Sequence, residues 1–157
     1  MPKRLPSSHG YLALTASILV CAIWTFWAGK ELGWDILNHH VYLPFSWVSG
    51  RINVDLFAAG PQSYQNPLGY LPVYPLIAHG APSWTVGLAL AVLHAIPIAL
   101  TWKLAHLYWA REPHAGLYAA ISAIAAALTP VFLQVAGTTS IDPLGAALAL
   151  GALVCVQ

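Results

Sequence analysis

Three stretches of this chain are almost wholly apolar: Tyr11 to Ala28, Thr85 to Leu104, and Leu117 to Ala136 with Pro130 inside it. A membrane span needs about 20 consecutive apolar residues, so each qualifies by length. A fourth apolar run, Pro143 to Gln157, has 15 residues. At about 1.5 Å per residue it would reach roughly 22 Å, short of a ~30 Å hydrocarbon core. The first run exceeds the usual core of a signal peptide, and no A-x-A site follows it. Val20 before Cys21 is not small, as a lipoprotein box requires. It therefore reads as an uncleaved anchor. The pattern predicts an all-α, polytopic transmembrane helical bundle. Its spans fall at about 11–28, 85–104, 117–136 and 143–157, in one membrane domain covering 1–157. The truncated fourth run suggests the N-terminal part of a longer protein.

Between the first two spans lies a loop from about 29 to 84, where the pattern changes. Trp34, Leu37, Val41, Phe45 and Val48 recur at helical spacing. Asp35, His39, Tyr42, Ser46 and Ser49 recur on another face. This predicts an amphipathic helix from about Trp34 to Ser49, lying along the membrane surface with its aromatics at headgroup level. Pro67, Pro72, Pro75 and Pro82 then exclude one long helix and predict short interfacial or re-entrant pieces.

Composition agrees with a lipid setting: 59% of residues are hydrophobic and only 7% charged, against about 25% charged in soluble domains. The net charge is +1 and no basic patch exists, which excludes a nucleic-acid partner. Cys21 and Cys155 both sit in apolar runs and read as core residues. Lys3 and Arg4 precede the first span, and Lys103 and Arg111 follow the second. Lys30 and Arg51 lie in the loop. The bias of four to two predicts a cytoplasmic N-terminus and an outward-facing loop. Glu31, Asp35, Asp55 and Asp142 then share the outer side, with Glu112 inside.

Ionisable groups gathered at one lipid–water boundary are candidates for a site. Asp35 and His39 are four residues apart and share a helical face; such a pair can bind a divalent metal or tune the histidine. Spacing alone favours the plainer reading, a polar face that simply meets water. His40 points elsewhere, toward Ile36 and Trp47. His94, three residues before Pro97 in mid-span, reads as a neutral histidine bonding to a neighbouring helix. In G-T-T-S-I-D-P, Gly137 to Pro143, Asp142 suits the N-cap of the next helix and Pro143 its first turn.

These segments resemble the GT-C superfamily of polytopic membrane glycosyltransferases. The features that carry the resemblance are G-W-D-I-L-N-H-H-V-Y after the first span, Q-S-Y-Q-N-P-L from Gln62, the proline-and-tyrosine run Leu71 to Leu76, and the G-T-T-S-I-D-P turn. The resemblance implies a sugar transferred from a polyprenyl-phosphate donor to an acceptor hydroxyl on the outer face, with inversion. Asp35 would be the catalytic base. His39, His40 and Arg51 are the local candidates for the leaving phosphate, with a divalent metal such as Mg or Mn as another means of offsetting its charge. Asp142 matches a second acidic position, and Tyr64 and Asn66 complete the substrate-binding set. The chain carries a single Asp where some members have an acidic pair; Glu31, four residues before it, is the candidate substitute for the second acid. The implied setting is a bacterial inner membrane, with the lipid bilayer and the lipid-linked sugar as partners and no oligomeric state specified. The alternatives are a non-catalytic polytopic membrane protein, in which Asp35 faces bulk water, and a transporter segment. The latter would place polar groups at the bilayer midplane, where only His94 lies.

Overall fold

The computed structural model describes residues 7–29 and 31–157. Lys3, Arg4 and Lys30, three of the charges behind the expected orientation, lie outside the described residues. Those described residues form helices and turns with no strand. The helices are α1 (Ser7–Ala28), α2 (Tyr42–Val48), α3 (Tyr74–Ala78), α4 (Ser83–Tyr108), α5 (Ala115–Ala127), α6 (Pro130–Val135) and α7 (Asp142–Cys155). Two of them, α4 and the His9–Ala28 part of α1, are long and apolar enough to cross a membrane.

Helix α4 is the hub, packing against α1, α5 and α7. It runs antiparallel to α1. Gly87 lies against Thr25 and Phe26, while Cys21, a turn earlier in α1, joins Ala91 and Ala95, later in α4. The shared core is Cys21, Ala91, Ala95, Ile98 and Ala127, with Ile18, Ala22, Ala123 and Phe132 packed on it. Small side chains let helix backbones approach closely, and dispersion contacts then hold them without a large hydrophobic contribution. The outward faces stay apolar: Leu12, Leu19, Ile23 and Trp27 of α1 are all exposed.

Two predicted elements come out differently. The run 117–136 is broken: α5 ends at Ala127 and α6 starts at Pro130. Proline has no N–H to continue the ladder, and Thr129 instead caps α6, its Oγ1 accepting from the Phe132 N–H at 3.3 Å. The thirteen residues of α5 reach only about 20 Å. The helix expected over Trp34 to Ser49 is also not one α-helix. Ile36–His40 forms a π-helical turn before α2 begins at Tyr42.

Candidate functional site

The site is assembled at the end of the molecule where α1 stops and α4 starts. Gly29 adopts φ +84°, a left-handed conformation that turns the chain out of α1. Two residues later, Glu31 reaches across to the turn between α6 and α7. Its Oε2 accepts from the Thr139 N–H at 2.7 Å and from Thr139 Oγ1 at 2.9 Å. The partners are 108 residues apart in sequence. A second tie lies nearby: a Cβ at Gly69 would fall 2.6 Å from Ile141 Cγ2, so only glycine permits this approach of the first loop to that turn.

The π-helical turn presents Asp35, His39 and His40 to this junction. A π turn takes in more residues than an α turn and is frequent at functional sites. Here it brings both adjacent histidines against Tyr70. His40 stacks on the Tyr70 ring at 4.8 Å and His39 meets it edge-on at 6.2 Å. The two imidazoles stand edge to face, 4.4 Å apart. His40 Nδ1 bonds Thr139 Oγ1 at 2.6 Å, which links the loop histidine to Glu31 through one hydroxyl. The sequence placed His40 on a separate face; the π turn is what re-aims it.

His39 is 6% exposed, and its Nδ1 makes no hydrogen bond. The nearest carboxylate oxygen, Asp35 Oδ1, lies 3.8 Å away. Unpartnered buried polar atoms are uncommon and mark strain or function. Asp35 itself is open, with 61% of its side chain exposed. Asp142 begins α7 without capping it through its side chain. Instead its Oδ2 accepts from Ser140 Oγ at 2.9 Å, which corrects the expected N-cap role. A carboxylate in a first helical turn is still favoured by the helix dipole.

Charge within this cluster is finely set. Burial first, and then the neighbouring His39, lower the His40 pKa from 6.5 to about 4 against the opposing pull of Asp35 and Asp142. Burial, with Asp142 and Asp35 adding to it, raises that of Tyr70, so its phenol stays protonated. A pH effect follows for His40. In the unfolded chain it titrates near 6.5, and in the folded chain near 4. Between those values the unfolded state binds the extra proton, so stability falls as pH drops through that window. The ring is half-buried, and screening trims the loss to roughly 1–2 kcal/mol. Unfolding in detergent at pH 7 and pH 4.5 should show this loss in wild type and less of it in His40→Gln. Equal losses would refute the assignment to His40.

Several predicted residues lie apart from the cluster. The Arg51 guanidinium makes a two-pronged pair with Asp55, and Asp55 Oδ2 also accepts from the Tyr42 hydroxyl at 3.0 Å. That pairing holds the Asp55 carboxyl below its usual range. Arg51 thus serves a local ion pair, with its head group committed. Tyr64 is 73% exposed and sits near Phe57. Asn66 Oδ1 accepts from the Leu68 N–H at 2.9 Å, closing a turn. Nor do the side chains suit the divalent metal that the resemblance implied. Among the described residues no three His, Cys, Asp or Glu side chains converge on a common point. Against His39 and His40 stand Tyr70 and Thr139, which are poor donors for Mg or Mn.

A cleft of about 420 Å³ adjoins the junction. Phe26, Ile36, Ile77, Trp84, Val86 and Leu90 form its apolar walls, while Glu31, Thr139, Thr25 and Ser83 supply polar groups. That volume lies in the range of small-molecule sites. Asp35 and Asp142 do not line it. The sequence pattern assigned no role to Thr139 or Tyr70 and marked Glu31 only as a stand-in for a missing acid. The available signal was an acidic residue directly after a span, together with hydroxyls in the G-T-T-S turn. Comparison with known protein families, curated proteins and solved structures finds no match.

Proposed function

We propose that this chain is a polytopic membrane glycosyltransferase, or part of one, that moves a sugar from a polyprenyl-phosphate donor to an acceptor hydroxyl. The observation that supports it best is the convergence of Asp35, His39, His40, Tyr70 and Asp142 from two distant segments at one end of the helices, beside a largely apolar cleft. A lipid-linked sugar needs this combination: an apolar wall for the chain next to the phosphate, and acid–base groups for the sugar. The exposed apolar faces of α1 support a lipid setting, since only 17% of its apolar window is buried, unlike the core helix of a soluble protein. In this reading the spans number up to four, the first loop faces outward across a bacterial inner membrane, and Asp35 is the base. Its open carboxylate is accessible to an incoming hydroxyl. It takes the hydroxyl proton as oxygen bonds the anomeric carbon and the phosphate leaves with the bond pair.

The test is sugar transfer in membranes carrying the full-length protein, with wild type and Asp35→Asn at matched expression. Transfer should fall by about 10²–10⁴-fold, the usual contribution of a general base. A second reading, a non-catalytic membrane component, is favoured by one observation: Asp35 faces water and the cleft lies beside Glu31 instead. Unchanged transfer in Asp35→Asn would remove Asp35 from the chemistry. Absence of transfer by wild type with every donor tried would favour the non-catalytic reading.

A further inference from the structure

The three-membered chain from Glu31 through Thr139 to His40 has a direction fixed by proton counting. The Glu31 carboxylate has no proton to give, so both Thr139 bonds to its Oε2 are donated by threonine, one from the backbone N–H and one from the hydroxyl. A hydroxyl has one proton. With that proton spent on Glu31, Thr139 Oγ1 can only accept from His40 at 2.6 Å. His40 must therefore carry its proton on Nδ1. Among the described residues nothing bonds its Nε2, and that atom is not among the sealed, unpartnered ones. The ring plane is fixed as well, by the stack on Tyr70.

We propose that the Glu31–Thr139 pair holds His40 as an Nδ1–H imidazole whose Nε2 accepts a hydrogen bond from a hydroxyl of the bound substrate. The identification of the ligand as a sugar or its acceptor alcohol rests on the glycosyl-transfer reading. A neutral imidazole in this tautomer offers one acceptor and no donor at its free edge. It suits a hydroxyl and disfavours a phosphate oxygen, which removes His40 from the leaving-group candidates. The groups facing the ring are His39 on its own turn, Tyr70 from the loop and Thr139 from the turn before α7, with the charges of Asp35 and of Asp142 at the start of α7 also acting on it. Burial and His39 keep the ring neutral down to about pH 4, so Nε2 remains an acceptor at neutral pH. In this scheme His40 touches the substrate, and Thr139 and Glu31 are positioning residues.

The experiment pairs ¹⁵N-histidine NMR of the full-length protein in detergent or nanodiscs with transfer kinetics on polyprenyl-phosphate hexoses and pentoses. The His40 signals are assigned by their loss in His40→Gln. Wild type should show the Nδ1–H tautomer. Thr139→Val, which keeps the shape and loses the hydroxyl, should release it to a mixture and raise KM about ten-fold, as for one lost hydrogen bond. Thr139→Ser should recover most of both. His40→Phe should raise KM similarly, and His40→Gln, whose amide oxygen reaches the Nε2 position, should recover part of it. An Nε2–H tautomer in wild type, or an unchanged KM in both Thr139→Val and His40→Phe, would overturn the proposal. The Asp35→Asn arm acts on kcat and judges the transferase reading separately. If no donor supports transfer, that reading fails on its own. The His40 interaction is then judged by its Nε2 resonance during titration with free hexoses: a shift supports it, and an unmoved signal overturns it.

Discussion

Gly137→Ala should lower the stability of the folded chain by about 2–4 kcal/mol, the largest effect expected from a one-carbon change here. Two costs combine. Gly137 has φ +83°, where an L side chain is strained. The added Cβ would also lie 2.7 Å from Thr25 Oγ1, 3.0 Å from Thr25 Cγ2 and 3.1 Å from Thr25 Cα. The first two atoms belong to a side chain; the third belongs to the backbone of α1, which cannot swing away. A second substitution separates the terms. Thr25→Ala removes the side-chain clashes and leaves the backbone strain and the crowding against the α1 backbone, so it should restore only part of the loss. It has its own interest, because Thr25 Oγ1 is buried without a partner and contributes little by itself. The measurement is denaturant or thermal unfolding in detergent for the two single variants and the double. A Gly137→Ala protein as stable as wild type would show that the turn does not sit against α1 in this way.

The second large effect is expected at His94, which is 3% exposed. Its Nδ1 accepts from the Gly137 N–H at 2.9 Å, so the same turn is held from the other side. That N–H is an obligatory donor, which fixes Nδ1 as the unprotonated nitrogen. The neutral, cross-bonding role expected from the sequence is thus what the geometry shows, except that the partner is a turn backbone rather than a helix side chain. Two substitutions weigh hydrogen bond against packing. His94→Leu fills the volume and removes the acceptor. His94→Asn keeps an acceptor near Nδ1 and leaves a void. An orphaned buried N–H costs about 1–3 kcal/mol in water-soluble proteins, whereas polar interactions within membranes average nearer ~0.6 kcal/mol. The turn lies near the polar end, so the larger value should govern. His94→Leu should cost about 2 kcal/mol and His94→Asn about 1 kcal/mol. The reverse order would mean that packing dominates. Since His94 and Gly137 share one hydrogen bond, their combined effect should fall short of the sum.

How far the cluster was legible from sequence differs residue by residue. The loop between the first two apolar runs was marked out as the place where carboxylates and histidines gather, because charge is rare in apolar sequence. The turn at Gly137 to Pro143 was also singled out. The pairing of Glu31 with Thr139 could not be read, because it depends on how α6 delivers the turn to the end of α1. Helical periodicity set His40 on a different face from Asp35 but could not supply its partners Tyr70 and Thr139, since it assumes about 3.6 residues per turn, and the π turn over Ile36–His40 breaks that count. Arg51 looked like a free cation because its partner Asp55 lies four residues ahead, a spacing that only a closed turn converts into a pair.

Residue order is enough to set the helical character, the apolar runs, the breaks at Pro130 and around the loop prolines, and the concentration of chemistry in one loop. These are local consequences of side-chain type: apolarity, backbone donors removed by proline, and the steric freedom of glycine. The division of labour among the acids was settled by packing. It turned Glu31 toward Thr139, left Asp35 open to water, aimed both histidines at Tyr70, and set the turn at Gly137 between Thr25 and His94. Those choices rest on interactions between segments tens to more than a hundred residues apart. They depend on how α1 and α4 pack, and no local spacing encodes the directions in which the helix ends then face.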